Sequence, residues 1–528
     1  MASTTLESDA KADTSKRMAV PSPNGARRHH SYRQVSFGLM VVALAVVSAS
    51  AVMVPINDVD AYWHVRIGEE ILATGQTSNL GDDWAWYTPA EPWVTSQWLA
   101  EVIMAALVRF AGWAGLVYAA AAGAFLAVLL GLWTISKRAS GLAMLPPATG
   151  LVSIVLFSVA ARPATASLVG LVFVAHIAER TLRTGPTASW WLVPMVVVWA
   201  NVHGMWIVAP LALGVATVSH WLDRPAERLK PLLRGMGYVA VLLAAGCLTP
   251  LGLDGLTFSL RLRGAVDHLQ EWQLTTPWSV AFIPLAIVIA TVLVAGVRSG
   301  LLTKRSIAFY GVFWVLFSLP ALRNIIVSTL MLVPLAATLA GSVESSMRAQ
   351  PADENRRLLA AGVVAVAVAF SALVFAVIRL DPLAEAKPMT IAQSLRERYS
   401  TVSILNNYNT AGVLLAFGPE KPVLGIDGRA ERYGTDYIND YLDVHSMTGQ
   451  DWPSFLWEFD PEVAVVHEDA PIRYHLEETR GWRLTVREDP FVLLERGQGS
   501  GERLIPNPGL SWQSVAATQM RNWRTGAD

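Results

Sequence analysis

Several polar residues stand out because each falls at the end of an apolar stretch. Asp58 and Asp60 follow the first stretch, and Arg162 follows the third. Asn201 and His203 interrupt the fifth and sixth, Glu271 follows the seventh, and Arg323-Asn324 join the ninth and tenth. Ionisable groups at membrane depth are costly and usually face a cavity or a partner. Carboxylates from one loop and guanidiniums from others describe a site for an anionic substrate with a general base. Arginine matches phosphate oxygens with a planar fork of donors. A carboxylate beside it can take the proton of an acceptor hydroxyl. Displacing a phosphate from a sugar carbon leaves negative charge on phosphate oxygen, which fixed cations stabilise. A polyprenyl phosphate suits such a place, with its tail in the bilayer and its head at the surface.

The elements that would position these groups are membrane spans. Of 528 residues, 53% are hydrophobic and 16% charged, against about 25% charged in an average soluble protein. A span needs about 20 mostly apolar residues. About eleven candidates lie near 37–56, 113–135, 143–160, 164–180, 190–200, 205–220, 236–250, 278–297, 307–320, 324–342 and 358–379. The stretch 190–220 reads either as two spans or as one long broken helix. With a cytoplasmic N-terminus, the inner connections carry 20 Lys and Arg and the outer ones six, as the positive-inside rule requires. That orientation places the 57–112 loop and everything after 380 outside the cytoplasm of a plasma-membrane protein. The net charge of −1 gives no basic field for nucleic acid, and the single Cys247 excludes an internal disulfide.

The fold expected is an all-α polytopic membrane bundle with a small extracytoplasmic α/β domain at its C-terminal end. A basic cytoplasmic tail covers 1–36, the bundle 37–380, the α/β domain 381–500 and a loose tail 501–528. In the first outer loop, 60–73 and 98–110 have helical apolar stripes with Trp63 and Trp98 at the edge. Such helices would lie along the membrane interface. Between them Gly75, Gly81, Pro89 and Pro92 break regular structure. After 381, apolar runs at 402–405, 422–426, 463–467, 482–486 and 491–494 read as strands. They alternate with helix-like stretches at 390–399, 433–444, 451–459 and 471–480. No Gly-rich phosphate loop opens these helices.

Asp58-Val59-Asp60-Ala61-Tyr62-Trp63-His64, with Gly68, Gly75, Asp82-Asp83, Trp93 and Gln97-Trp98-Leu99-Ala100-Glu101, resembles bacterial membrane proteins of the GT-C glycosyltransferase superfamily. Trp199-Ala200-Asn201-Val202-His203-Gly204, Thr249-Pro250-Leu251-Gly252, Arg323-Asn324, Asn407-Tyr408, Gly412 and Ile426-Asp427-Gly428-Arg429 resemble further signatures of the group. The resemblance runs over roughly 55–435. It implies a GT-C-like, multi-span enzyme that uses a polyprenyl-phosphate sugar on the outer face. An acid in the first outer loop would be the base, a position matched by Asp58 and Asp60. Met205-Trp206 replaces the usual small doublet after the Asn-x-His-Gly signature, which implies a narrower or altered site there.

The reading that follows is an inverting transfer of sugar to a cell-envelope glycan, lipid or protein. Asp58 or Asp60 acts as base, and Arg162 and Arg323 hold the donor phosphate. His64, Asp82, Asp83, Asn201, His203, Glu271 and Asn324 line the substrate. A divalent cation on Asp58, Asp60, Asp82, Asp83 and His64 is an open possibility. Plainer roles stay open beside these. Asp60 could cap its helix, and Asp82-Asp83 could be solvated. Asn201 and His203 could satisfy freed backbone groups. Arg162 and Arg323 could pair with lipid headgroups, His64 and Glu271 could sit at the interface, and Asp427-Gly428-Arg429 could be a plain turn or could face the membrane cavity and the acceptor. A transporter or flippase of a lipid-linked glycan, or a non-catalytic assembly protein, are the rival classes. Transporters often carry internal repeats, and the latter half of the chain holds no second copy of the 57–112 loop.

Overall fold

The computed structural model describes residues 38–87, 89, 92–223, 229–261, 273–344, 354–449, 451–478 and 481–497. Glu271 and the expected tails 1–36 and 501–528 lie outside the described residues.

In chain order, α1 (Gly38–Ala51) leads into the loop helices α2 (Asp60–Thr74) and α3 (Trp98–Ala111). The bundle continues with α4 (Ala114–Ser136), α5 (Leu145–Ser158), α6 (Ala164–Thr184), α7 (Leu192–Val202), α8 (Val208–Leu222) and α9 (Leu229–Gly246). After the short α10 (Asp254–Arg261) come α11 (Phe282–Arg298), α12 (Arg305–Phe317), α13 (Asn324–Glu344) and α14 (Glu354–Arg379). Among the described residues six helices, some counted with a leading 3-10 turn, are long and apolar enough to cross a membrane. Those expected from the fifth, eighth and ninth apolar stretches, α7, α11 and α12, are shorter, as are α1 and the apolar part of α14. Large apolar side chains point outward from the bundle, with Phe370, Phe375 and Ile378 on α14 and Val294, Val297 and Val312 on α11 and α12 all exposed. An apolar outer surface of this kind suits lipid. α9 begins at Leu229, before the expected 236, because Lys230 and Arg234 stand on its exposed side and do not interrupt it.

The stretch 190–220 resolves into two helices rather than one. The Tyr238 hydroxyl donates to the Ser189 carbonyl (2.5 Å), and Asn201 Nδ2 donates to the Leu248 carbonyl (2.9 Å), so α7 runs alongside α9 in the same direction. Gly246 faces Trp206 and Gly235 faces Thr217, so α8 runs the opposite way. The chain reverses at His203, whose backbone is extended (φ −165°, ψ 143°).

Side-chain bonds sort the connections into two ends of the bundle. At one end Arg138 pairs with Glu179 (2.5 Å), Thr338 donates to Glu179 (2.6 Å), and Asp223 accepts from Ser306. At the other end lie Asp58, Arg162, His203 and Arg323. This division matches the two sets of loops that the charge bias separates.

The C-terminal part carries α15 (Met389–Arg398), β1 (Thr401–Asn406), α16 (Ala411–Phe417), β2 (Lys421–Leu424), α17 (Ala430–Ser446) and α18 (Trp452–Phe459). It ends with β3 (Val463–His467), α19 (Pro471–Glu478), β4 (Trp482–Glu488) and β5 (Phe491–Arg496). The sheet order is β2-β1-β3-β5-β4, with β2, β1 and β3 parallel and β5 and β4 antiparallel. β1 and β3 are nearly all buried, because helices cover both faces. α16 is absent from the expected helices. Its seven residues, AGVLLAF, are apolar all round and too few to show a period.

Of the two helices of the first loop, α2 is covered on nearly all sides, whereas α3 leaves Ile103 and Phe110 exposed. α2 is closed by Gly75 (φ 72°), whose N–H bonds the Ile71 carbonyl (2.8 Å). It is buried along most of its length, with Tyr62 and Ile67 essentially inaccessible. Each such side chain contributes roughly 1.5–3 kcal/mol. Gly68 lets α2 touch the backbone of α3 at Glu101. Gly412 and Gly428 bring the C-terminal domain onto Val59 and Trp63. Trp63 is therefore packed between two domains and not at an interfacial edge. The segment after α2 adds a parallel bridge at Ala85 to Leu424 and so covers the free edge of β2.

Candidate active site

The N-terminus of α2 gathers the first polar cluster. Asp58 Oδ1 accepts the backbone N–H of Asp60 (3.1 Å), so Asp58 rather than Asp60 satisfies a helix-start donor. Its other oxygen meets Arg162 Nε at 3.1 Å. Asp60 Oδ2 lies 3.6 Å from Arg162 Nη1, and Oδ1 accepts from Trp63 Nε1 (2.9 Å). Arg162 reaches this point because the chain turns between α5 and α6. Burial, and then the neighbouring Asp58 carboxylate, raise the Asp60 carboxyl above the usual aspartate range, against the pull of His64, Trp63 and Arg162.

One turn further along α2, His64 Nδ1 lies 3.0 Å from Glu101 Oε1, and Glu101 Oε2 accepts from the Thr95 hydroxyl (2.7 Å). Glu101 and Thr95 are buried. Across the cavity, the turn between α7 and α8 presents His203. The Met205 N–H (3.4 Å) donates to His203 Nδ1, and Ser167 Oγ lies 2.9 Å from it. Ser167 in turn accepts from Trp199 Nε1 (2.8 Å). An amide can only donate, so Nδ1 is an acceptor and the ring proton sits on Nε2. Burial, with the Arg323 and Arg162 guanidiniums nearby, holds His203 far below the ordinary imidazole range and keeps it neutral.

These groups surround a cavity of about 210 Å³, whose wall includes Asp60, His64, Arg162, His203 and Arg323. The C-terminal domain supplies Tyr408, Gly428 and Glu431 to the same wall. Burial raises the Glu431 carboxyl above its usual range. Met205 lines the cavity, whereas Trp206 turns away to pack on Gly246. The bundle thus contributes two guanidiniums, and the C-terminal domain a carboxyl and a phenol. Such a space can hold an anion on one side and a hydroxyl-bearing molecule on the other.

Four sequence-predicted residues take other places. Asp82 pairs with Arg432 of the C-terminal domain (2.6 Å) and is 40% exposed, and Asp83 lies near Glu70. Neither lines the cavity. Asn201 accepts from Trp98 Nε1 (2.6 Å) and ties α3 to α7. Asn324 donates to the Phe317 carbonyl (3.0 Å) across the α12–α13 turn. Glu271 lies outside the described residues. Among those residues no three His, Cys, Asp or Glu converge as metal donors. Asp82 is drawn to the domain junction, so the five-residue set for a divalent ion is not assembled. Asp427-Gly428-Arg429 is more than a plain turn: Gly428 lines the cavity, while the flanking side chains are engaged with protein groups. Arg429 is 1% exposed and binds Asp427 (2.5 Å), donates to the Leu80 and Gly81 carbonyls, and lies over the rings of Trp84 and Trp93.

Glu101, Tyr408 and Glu431 belong to the cavity or its support and are absent from the expected set. Glu101 carried a signal, as the one acid of a mostly apolar helix, at the point of α3 that Gly68 approaches.

The chain is similar to the crystal structure of ArnT from Cupriavidus metallidurans in the apo state, at 14% identity and a TM-score of 0.47. The likeness covers 86% of this chain and 96% of that one. No family model matches the chain, and no curated relative matches it. The functional reading rests on the side chains around the cavity.

Proposed function

We propose that this protein is a multi-pass plasma-membrane glycosyltransferase of the GT-C kind. It moves a sugar from a polyprenyl-phosphate donor to a cell-envelope glycan, lipid or protein on the outer face, with inversion. The eleven apolar helices α1, α4–α9 and α11–α14 span the bilayer, and the C-terminal domain stands outside. The observation that carries the reading is the meeting of Asp58, Asp60, Arg162, His203 and Arg323 at one end of the bundle, from four separate stretches of chain.

Arg162 and Arg323 hold the donor phosphate, and His203 adds an Nε2–H donor. A guanidinium has five N–H donors, so Arg162 can keep its carboxylates and still meet phosphate. The three groups stabilise the charge that gathers on phosphate oxygen as the sugar leaves. Asp60 takes the acceptor proton. It lines the cavity, and its raised proton affinity makes it a stronger base than an ordinary aspartate. Asp58 stands behind it and orients Arg162. The other end of the bundle is tied by Arg138, Glu179 and Thr338, which supports an enzyme open on one side over a carrier that must open on both.

The test is sugar transfer from polyprenyl-phosphate sugars by the purified protein in lipid nanodiscs. Asp60→Asn lowers kcat by about 100-fold or more with normal expression, whereas Asp58→Asn chiefly raises KM for the donor. Full activity in Asp60→Asn removes that carboxylate from the chemistry.

A further inference from the structure

The proposed chemistry leaves one buried pair unexplained. Glu101 is fully buried on α3, and among the described residues the ionisable group it meets is His64. A buried carboxylate costs several kcal/mol unless it is paired and hydrogen-bonded. Thr95 satisfies one oxygen and His64 Nδ1 the other. A carboxylate on Nδ1 fixes the tautomer with its proton there, aims the Nε2 lone pair elsewhere and stabilises the imidazolium that forms when Nε2 gains a proton. His64 itself lines the cavity. His203 is set the opposite way, with its proton on Nε2. The two imidazoles in one cavity therefore carry their protons on opposite nitrogens, so that His203 offers an Nε2–H and His64 an Nε2 lone pair.

Asp60 and His64 are four residues apart on α2, about 5–6 Å between neighbouring Cβ atoms. Asp60 must shed its proton before it can act again. We propose that His64 takes that proton from Asp60 and passes it to water, with Glu101 as its positioning residue. This rests on the sugar-transfer reading. In the complete step the acceptor O–H bond breaks and its oxygen bonds the sugar carbon. The bond from that carbon to phosphate oxygen breaks, and its electron pair stays on the phosphate. The proton goes to Asp60 and then to His64 Nε2. The groups that face His64 are Glu101 from α3, Asp60 on its own helix, Glu431 from α17, His203 from the α7–α8 turn, and Arg162 and Arg323 across the cavity.

Two measurements on the full-length protein in nanodiscs test this. In the first, His64→Ala lowers kcat about 100-fold with donor KM unchanged, and added imidazole restores about tenfold of it. Glu101→Asp keeps more activity than Glu101→Gln, and Glu101→Gln moves the acid limb of the pH–rate profile downward. A folded His64→Ala that imidazole does not rescue, or an unmoved profile in Glu101→Gln, overturns the proposal. The second measurement is nitrogen NMR of histidine-labelled protein, which needs no turnover. His64 carries its proton on Nδ1 in the parent and loses that preference in Glu101→Gln. A parent with the proton on Nε2 overturns the pair whatever the turnover. If the parent transfers no sugar while the Nδ1 signature holds, the sugar-transfer reading falls and the relay with it, and the Glu101–His64 pair alone stands.

Discussion

Arg162 and Arg429 both hold aspartates beside the first loop, one from the bundle and one from the C-terminal domain. The Arg162 side chain is 33% exposed and shares Asp58 and Asp60 at 3.1 and 3.6 Å. Arg429 is 1% exposed, binds Asp427 at 2.5 Å and is roofed by Trp84 and Trp93. The residue types are the same and the surroundings are not. In the sealed cluster the guanidinium donors go to protein acceptors. Burial alone would raise Asp427, but Arg429 outweighs it and holds the carboxyl low. In the open cluster the guanidinium stands farther from Asp60, at 3.6 Å, and the Asp58 carboxylate adds to the effect of burial, so the Asp60 carboxyl rises. One arrangement ties a domain to the first loop, and the other leaves a partly exposed carboxylate with raised proton affinity.

Removing the sealed arginine has the largest expected effect. Arg429→Ala strands a buried Asp427 and costs about 3–5 kcal/mol, measured by denaturant unfolding of the detergent-solubilised protein. Asp58→Asn in the open cluster costs about 1 kcal/mol or less by the same measurement. Equal losses would erase the distinction. An intermediate effect comes from Arg162→Gln. Arg162 lowers the proton affinity of Asp60, so its loss raises that carboxyl further. Transfer that needs the ionised carboxylate then fails at a higher pH, and the acid limb of the pH–rate profile moves up. An unmoved limb would mean that Asp60 is not the group that sets it.

The smallest effect concerns a cluster of like charges. Asp440 on α17 is pushed up to about 6 by burial and then by Asp451, Asp436 and Asp443. Its folded proton affinity exceeds the unfolded one, so its contribution to stability is full below the ordinary aspartate value and is lost as pH rises through about 6. The parent Tm therefore falls on going from acid to neutral pH by more than that of Asp440→Asn. Identical pH slopes would show that the neighbouring carboxylates do not press on Asp440.

The bundle was legible in its longest helices because a span needs an unbroken apolar length, which six of the expected stretches show among the described residues. The strands at 463–467 and 491–494 were legible for a similar reason, since each is a short buried run between polar ones. At the cavity, Asp58, Asp60, Arg162, His203 and Arg323 could be found because each breaks an apolar pattern. Glu431 could not, because it sits in an ordinary polar helix of a different domain and only tertiary packing brings it near His64. Asp82 misled for the same reason: its partner Arg432 lies 350 residues further along the chain. Trp63 misled because an aromatic at an amphipathic edge looks the same whether lipid or a second domain covers it.

Gly412 and Gly428 let the C-terminal domain rest close on α2, with no side chain of their own in between. So intimate a fit tolerates little drift on either face. Lineages of this protein would inherit the first loop and the 401–446 segment as a single unit, and hybrids made by exchanging one without the other would no longer mate.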